Sequence, residues 1–540
     1  MSDTAAVPSP FSNATYRNLW AGNLGSGFGT MIQAVGAAWL MMALTSSVDM
    51  VALVQAANAL PVVILSLIGG AIADSYNRRK VMLMTQSFMM VISALLALFA
   101  LMGWLSPWVL LGFTFLVGCG NALNNPSWQA SVADIVQRDQ LPMAVSYNAI
   151  SFNLARSMGP AVGGLIVSTI GPVGAFAVNA LTYLGPLTAI GTWKAPQRER
   201  TLPPETILPA VMAGLRYVGM SQDLLRIILR SGLFGFGTVI LQALMPVVAA
   251  QQIGGGPLVF GLLLGSFGVG AVGGAFLGPR IQGRFLSEKI VATVSLIFSA
   301  MLVLVALSSQ LWMAMPAILL AGGVWVMTLS LFNVSVQMAA PRWVVGRALA
   351  LYQTSMFAGF ALGSWFWGRL AEDFGLMPTF LLAAGTMLLV AATGLIWPMP
   401  PRVSRNLEPL NRFQEPTVDL ALSPRSGPIV VQIVYTVPPE NTDRFLHLMQ
   451  DRKRIRMRDG ARNWTLARDL SATDHWVERY KAPTWTDYIR QNQRITQADA
   501  AIGLNLRELF PEGSPPIVTR YLELHHETHH TMRAIDHDHH

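Results

Sequence analysis

Cysteine is almost absent: the single one in 540 residues, Cys119, lies inside an apolar run, which excludes a disulfide framework and a Cys-based metal site. Charge is scarce as well. Asp, Glu, Lys and Arg make up 12% of the chain against 52% hydrophobic residues, so most of it cannot be a water-soluble globule. No apolar run carries a central Asp or Glu, so no proton-carrying carboxylate is visible within one. Residues 1–16 lack a basic n-region and a cleavage site, and the first apolar run is too long for a signal h-region, so the first helix is expected to be retained.

What the chain does have is long apolar runs separated by short loops, the pattern of a polytopic all-α membrane protein. About 20 apolar residues cross a hydrocarbon core of roughly 30 Å, and twelve transmembrane helices are expected, near 17–45, 48–72, 81–104, 107–133, 143–170, 172–193, 226–250, 257–279, 288–309, 311–339, 343–370 and 376–398. Basic residues fall in alternate loops: Arg78, Arg79 and Lys80; Arg138; Lys194, Arg198 and Arg200; Arg280, Arg284 and Lys289; Arg342 and Arg347; Arg402 and Arg405. The opposite loops hold no Lys or Arg but do hold Asp49, Glu372 and Asp373. This asymmetry places both termini in the cytoplasm and accounts for the net charge of +8 without a nucleic-acid partner.

The sequence also repeats itself. GFGT occurs at Gly27 and Gly235, Gly70-Ala71 recurs as Gly274-Ala275, Tyr147 as Tyr352 and Gly163 as Gly368, at offsets of 204 to 208 residues. Matches in order at a nearly constant offset indicate two pseudo-symmetric six-helix halves, 1–193 and 226–400, joined by a polar stretch at 194–225. Within that joint, Ala210 to Met220 has helical spacing and suits a membrane surface.

Two motifs stand out. The first is GAIADSYNRRK, from Gly70 to Lys80, and it resembles the G-x-x-x-D-R-x-G-R-R signature between the second and third helices of the major facilitator superfamily. Gly70, Asp74, Arg78 and Arg79 are in register, while Ser75 and Asn77 depart from it. Gly70 is expected to let two helices approach closely. The copy GAFLGPRIQGR begins at Gly274 and has Gly278 where Asp74 stands in the first, so the expected gate is asymmetric. The second motif is GPAVGG, with Gly159, Pro160, Gly163 and Gly164, and it resembles the antiporter signature of exporting facilitators. Proline kinks a helix and the glycines permit tight packing; the alternative is an ordinary small-residue helix contact.

Arg156 is the only ionisable residue found well inside an expected span, and an embedded charge costs several kcal/mol. It either meets an anionic substrate or holds a helix through carbonyl bonds. The resemblance implies that the first, fourth, seventh and tenth helices line a central cavity, which makes candidate contacts of Asn23, Gln33, Asn121, Asn124, Asn125, Gln242, Asn333 and Gln337. For any single amide, hydrogen bonding between helices is the competing role.

After Pro400 the character changes. A linker at 401–427 leads to a small α+β domain at 428–524, whose strand and helix patterns run in βαββαβ order, the ferredoxin-like arrangement. This domain resembles small antibiotic-monooxygenase-like domains that pair into dimeric barrels, so dimerisation through it is one expectation. Its basic run, Asp451 to Arg458, suits a solvated helix face or anionic lipid headgroups. The tail at 525–540 holds seven of the nine histidines without fixed metal-ligand spacing.

The whole chain resembles the transmembrane secretion effectors, major facilitators akin to enterobactin exporters. The resemblance implies a multi-pass carrier of the bacterial inner membrane, driven by protons, that exports a siderophore or another amphipathic small molecule by alternating access, with no cofactor. The alternatives are an importer of the same fold and a membrane-anchored sensor or enzyme acting through the C-terminal domain.

Overall fold

The computed structural model describes residues 9–137, 139–193, 207–341, 343–401, 407, 410, 413, 415–511 and 514–524, except for the side chains of residues 67, 71, 73–75, 133, 142 and 207–210. Expectations for Arg138, the joint at 194–206, Arg342, much of the linker, the His-rich tail and the Asp74 side chain lie outside these residues. Two compact units are present: one holds residues up to 208, 223–337 and 346–402, the other 209–222, 338–345 and the chain from 403 onwards.

The first unit is helical: α1 (Ala14–Leu44), α2 (Val48–Ser75), α3 (Arg78–Leu101), α4 (Pro107–Ile135), α5 (Leu141–Thr182) and α6 (Leu184–Thr192) form its first half. After α7 (Ile207–Met220) come α8 (Gln222–Val247), α9 (Pro257–Arg284), α10 (Ser287–Leu307), α11 (Leu311–Ala339), α12 (Val345–Phe374) and α13 (Leu376–Ile396). Polar caps start the helices where the apolar runs break. Asn13, Ser47, Asn77 and Ser106 each accept a first-turn N–H, and Pro107 and Pro257 occupy first-turn positions that need no N–H partner.

Among the described residues, ten helical stretches are long and apolar enough to cross a membrane. One of them, Met143–Thr192, is interrupted at Gly171, where φ is +76°, in the left-handed region that glycine adopts freely. α12 falls outside the ten because its charge-free stretch between Arg347 and Arg369 is diluted by Tyr352, Gln353, Thr354, Ser355 and Ser364 and is less apolar than the others.

A second embedded arginine adds to Arg156. Arg230 on α8 is fully buried, with both guanidinium Nη atoms on the Glu288 carboxylate of α10 and Nη1 also donating to the Trp397 carbonyl at 3.1 Å. Glu288 in turn accepts the Met399 N–H at 2.7 Å, so the pair closes the end of α13 onto α8 and α10. Arg156 is therefore not alone as an embedded charge. It differs in having no ion pair among the described residues.

The second unit carries a four-stranded antiparallel sheet ordered β2-β3-β1-β4, from β1 (Ile429–Thr436), β2 (Arg462–Arg468), β3 (His475–Ala482) and β4 (Ile517–Leu522). Helices α14 (Thr442–Asp459), α15 (Trp485–Gln493) and α16 (Gln497–Arg507) complete it; one helix was expected where α15 and α16 stand, and a Thr496–Asp499 capping box starts the second. Ile433, Tyr435, Phe445, Trp476 and Tyr480 fill the core.

The basic run on α14 is not the solvated face expected. Arg452 and Arg456 turn inward to Glu478, whose carboxylate is fully buried and also accepts from the Tyr435 hydroxyl and Trp464 Nε1. Despite its burial, these cations and donors hold the Glu478 carboxyl below its usual range. Arg458 bridges Asp459 at 3.0 Å and Asp499 at 2.8 Å. It also lies over the Tyr217 ring of α7, 5.0 Å from the centroid, while Arg494 covers Trp343 at 4.0 Å and the two rings meet edge to face. Tyr217, expected at a membrane surface, is 2% exposed inside this unit.

Two predictions follow from these buried charges. Glu288→Ala strands Arg230 without its counter-charge, and a loss of ~3–5 kcal/mol is expected, read as a lowered thermal midpoint of the protein in detergent; an unchanged midpoint contradicts the pairing. Asp459, sharing one guanidinium with Asp499, is pushed up to about 6 by burial. A raised carboxyl pKa favours the folded unit most below the unfolded value near 4, and that favour is lost as pH rises through about 6, roughly 2–3 kcal/mol in all. Asp459→Asn removes this loss, so between pH 4.5 and 7.5 the wild-type C-terminal unit should become more protease-susceptible relative to the variant; parallel profiles contradict the shift.

Candidate substrate cavity

The two halves meet along α5 and α9, and glycine sets how closely. A Cβ on Gly164 would lie 2.7 Å from the Pro257 carbonyl oxygen, one on Gly261 2.6 Å from the Pro160 oxygen, and one on Gly268 2.4 Å from the Ser157 Cα. Only backbones without side chains approach so near, and in lipid such contact is what holds helices together. Gly159 and Gly163 face the other way, against Met31, Ile32 and Val35 of α1. The GPAVGG motif thus wedges α5 between α1 and α9; Pro160 lies inside the helix, and the break in helical backbone comes later, at Gly171.

At one end of the bundle the halves are also joined through Glu372 of α12, whose carboxylate accepts the Val48 and Asp49 N–H groups at the start of α2. An acidic side chain there complements the positive end of the α2 dipole. Further along the same two helices, the Ser66 and Thr354 hydroxyls are 2.7 Å apart.

Beside the α5–α9 seam lies a cavity of ≈ 290 Å³, a size suited to a small-molecule ligand. Of the residues singled out from the sequence, Gln33, Pro160, Arg156 and Gln242 line it. Arg156 has no ion pair or hydrogen bond among the described residues, and its guanidinium lies 4.3 Å from the Trp325 ring centroid and 5.8 Å from that of Phe267. Gln33 accepts from Ser93 at 2.9 Å and from Asn179 at 2.5 Å, which ties α1 to α3 and to the end of α5. Gln242 accepts from Gln55 across the halves at 3.3 Å.

The remaining amides are placed elsewhere. Asn124 is 6% exposed and accepts from Thr85 at 3.1 Å, so it joins α4 to α3. Asn333 accepts from Gln337 one turn along α11, and neither lines the cavity. Asn23, Asn121 and the exposed Asn125 are likewise absent from the wall. Residues that the sequence did not single out take their place: Gln55 and Asn58 on α2, Trp325 on α11, and the phenylalanines Phe152, Phe260, Phe267, Phe357 and Phe360. Aromatics in apolar runs give no sequence signal of their own. Gln55 and Asn58 are polar residues in an apolar run, but they lie on α2, which is not one of the four helices expected to line the cavity. Among the described residues, no group of His, Cys, Asp and Glu could hold a metal ion.

The first motif acts within one half. Arg78 donates to the Asp134 carboxylate at 2.6 Å and the Ala130 carbonyl at 2.8 Å, and so ties the start of α3 to the end of α4. Arg79 caps the end of α6 through the Ile190 and Gly191 carbonyls at 3.0 and 2.7 Å. The close approach expected at Gly70 falls one residue earlier: a Cβ on Gly70 would meet nothing, whereas one on Gly69 would lie 3.0 Å from the Ala122 carbonyl of α4. Its counterpart Gly274 is tightly packed, with a Cβ there 2.0 Å from the Gly323 oxygen of α11.

Comparison with known proteins agrees with this arrangement. The transmembrane secretion effector family matches residues 5–528. The multidrug efflux pump Tap of Mycolicibacterium fortuitum is 25% identical over 393 residues, which cover 69% of this chain and 93% of that protein. The staphyloferrin A transporter of Staphylococcus aureus is 26% identical over 156 residues, 29% of this chain and 39% of that one. The macrolide efflux protein A of Streptococcus pyogenes is 22% identical over 285 residues, 52% and 70% respectively. Among solved structures, a bacterial homologue of the human lysosomal transporter Spinster, inward-facing and occupied, superposes with a TM-score of 0.59 at 15% identity over 72% of this chain and 97% of that one. A D-xylose–proton symporter gives 0.59 at 15% identity over 73% and 99%. With a family match over nearly its whole length and the fold of these carriers, the chain belongs to the transmembrane secretion effector family of major facilitator transporters.

Proposed function

We propose that this transporter is a secondary exporter that carries a siderophore or another amphipathic small molecule out across the bacterial inner membrane. The observation that carries the reading is the cavity itself: an aromatic wall and a few polar groups enclosed between two halves that meet at a glycine seam. The names of the relatives, efflux pumps for several drugs and a siderophore transporter, support outward transport of compounds of this kind.

In this reading the helices cross twelve times, with the interruption at Gly171 dividing one long stretch in two and α12 crossing as an amphipathic helix. Both termini are cytoplasmic, in keeping with the alternation of basic loops. Rocking of the halves parts the α5–α9 seam and exposes the cavity to each side in turn. A proton gradient drives the cycle; among the described residues no Asp or Glu lines the cavity. The strand order β2-β3-β1-β4 supports a ferredoxin-like C-terminal domain, with a regulatory or dimerising role.

Transport direction is the decisive test. Everted membrane vesicles containing the protein, energised with a proton gradient, should accumulate siderophores or amphipathic dyes, and a protonophore should abolish the accumulation. Accumulation by intact cells with none in everted vesicles would make the protein an importer.

A further inference from the structure

The donors in the cavity outnumber what the protein gives them to bind. Trp325 is 3% exposed, yet its Nε1–H has no acceptor among the described residues, and Nε2 of Gln242 is likewise buried without a partner while its Oε1 accepts from Gln55. These are the unpartnered buried polar atoms among the described lining residues, and both are N–H donors. Arg156 adds a guanidinium with neither carboxylate nor carbonyl. Gln33 points the same way: with Ser93 and Asn179 both donating to its Oε1, only its NH2 remains to offer.

Of the other polar groups of the wall, Gln55 donates to Gln242 and the rest donate within their own helices. Asn58 donates to the Val54 carbonyl, Thr30 to Ser26 and Thr114 to Leu110; the amide oxygens of Gln55 and Asn58 remain as acceptors on the wall, but neither receives the unpartnered N–H groups of Trp325 and Gln242. Burying an unsatisfied N–H is costly, and burying an unpaired charge more so. An occupant bearing acceptor oxygens and negative charge relieves all of these at once. A cationic occupant would relieve none. The aromatic face best placed to attract it, that of Trp325, is already covered by Arg156.

We propose that the cavity takes an anionic amphiphile, whose carboxylate, sulfonate or phosphate oxygens receive Arg156, Trp325 and Gln242 while its apolar body lies on the phenylalanine wall. This rests on the exporter reading for its biological sense, but it concerns binding and is tested without turnover. Loss of export direction therefore leaves it standing, and loss of charge selectivity overturns it while export survives.

The full-length protein in phosphatidylcholine nanodiscs is titrated with two fluorescent probes of similar shape, anionic 8-anilinonaphthalene-1-sulfonate and neutral N-phenyl-1-naphthylamine. Arg156→Gln should weaken sulfonate binding by about tenfold or more and leave the neutral probe within twofold. Trp325→Phe, which keeps the ring and removes the N–H, should weaken the sulfonate about fivefold and spare the neutral probe. Arg156→Lys should recover part of the loss, which separates missing charge from misfolding. Displacement of the sulfonate by phosphatidylglycerol added to the disc assigns the donors to a lipid headgroup, and no displacement assigns them to a soluble acid. Equal loss for both probes in Arg156→Gln, or sulfonate binding unaffected by either variant, overturns the proposal.

Discussion

Everything about the cavity depends on the contact of α5 with α9 at which no Cβ fits. Gly164, Gly261 and Gly268 bring two backbones together where even alanine would collide with main-chain atoms. Main-chain atoms cannot step aside as a flexible side chain can, so overpacking here would separate the halves rather than deform one residue. Lipid provides no hydrophobic drive for helix association, and the attraction across such a seam is the sum of many close van der Waals contacts. For the proposed cycle, in which the halves part and meet again, such a contact is suitable, since no ion pair crosses it among the described residues.

The two embedded arginines show opposite uses of the same side chain. Arg230 has its counter-charge, with Glu288 and the Trp397 carbonyl on its two Nη atoms fixing one end of the second half. Arg156 is left without one, on the wall beside the seam. A charge kept unpaired in an apolar setting is costly, and its cost is sensible where an arriving group can remove it. Gln33 and Gln242 share this logic on a smaller scale, since each has its oxygen engaged by the protein and its nitrogen left over. In the C-terminal unit the reverse holds: Glu478 collects two arginines, a tyrosine and a tryptophan, and the result is a filled core.

Much of the architecture could be read from the sequence because hydrophobic period and caps are local signals. The apolar runs, the break near Gly171 and the strand pattern after residue 428 all appear where the residues suggested. The cavity was less legible. An amide in an apolar run declares that it needs a partner, but not whether that partner is a ligand or a neighbouring helix; Asn124 found Thr85, and Gln33 found both a network and the cavity. Trp325 is invisible by composition, being one apolar residue among many. Gly70 failed by one position, and one step along a helix turns a residue by about 100°, from the α4 contact to open space. Arg230 lies near a helix end, where an arginine reads as a loop flank until Glu288 is seen beside it.

The central claim is that the α5–α9 seam must open in each transport cycle. The Ala161 Cβ and a Cβ built on Gly265 are 3.4 Å apart, close to the span of a disulfide, and removal of the sole native cysteine, Cys119, gives a clean background. Dye accumulation is measured in everted vesicles carrying Ala161→Cys and Gly265→Cys in a Cys119→Ala chain, before and after oxidation. The account expects oxidation to cross-link the seam and stop transport, with recovery on reduction. Undiminished transport by fully cross-linked protein would contradict it.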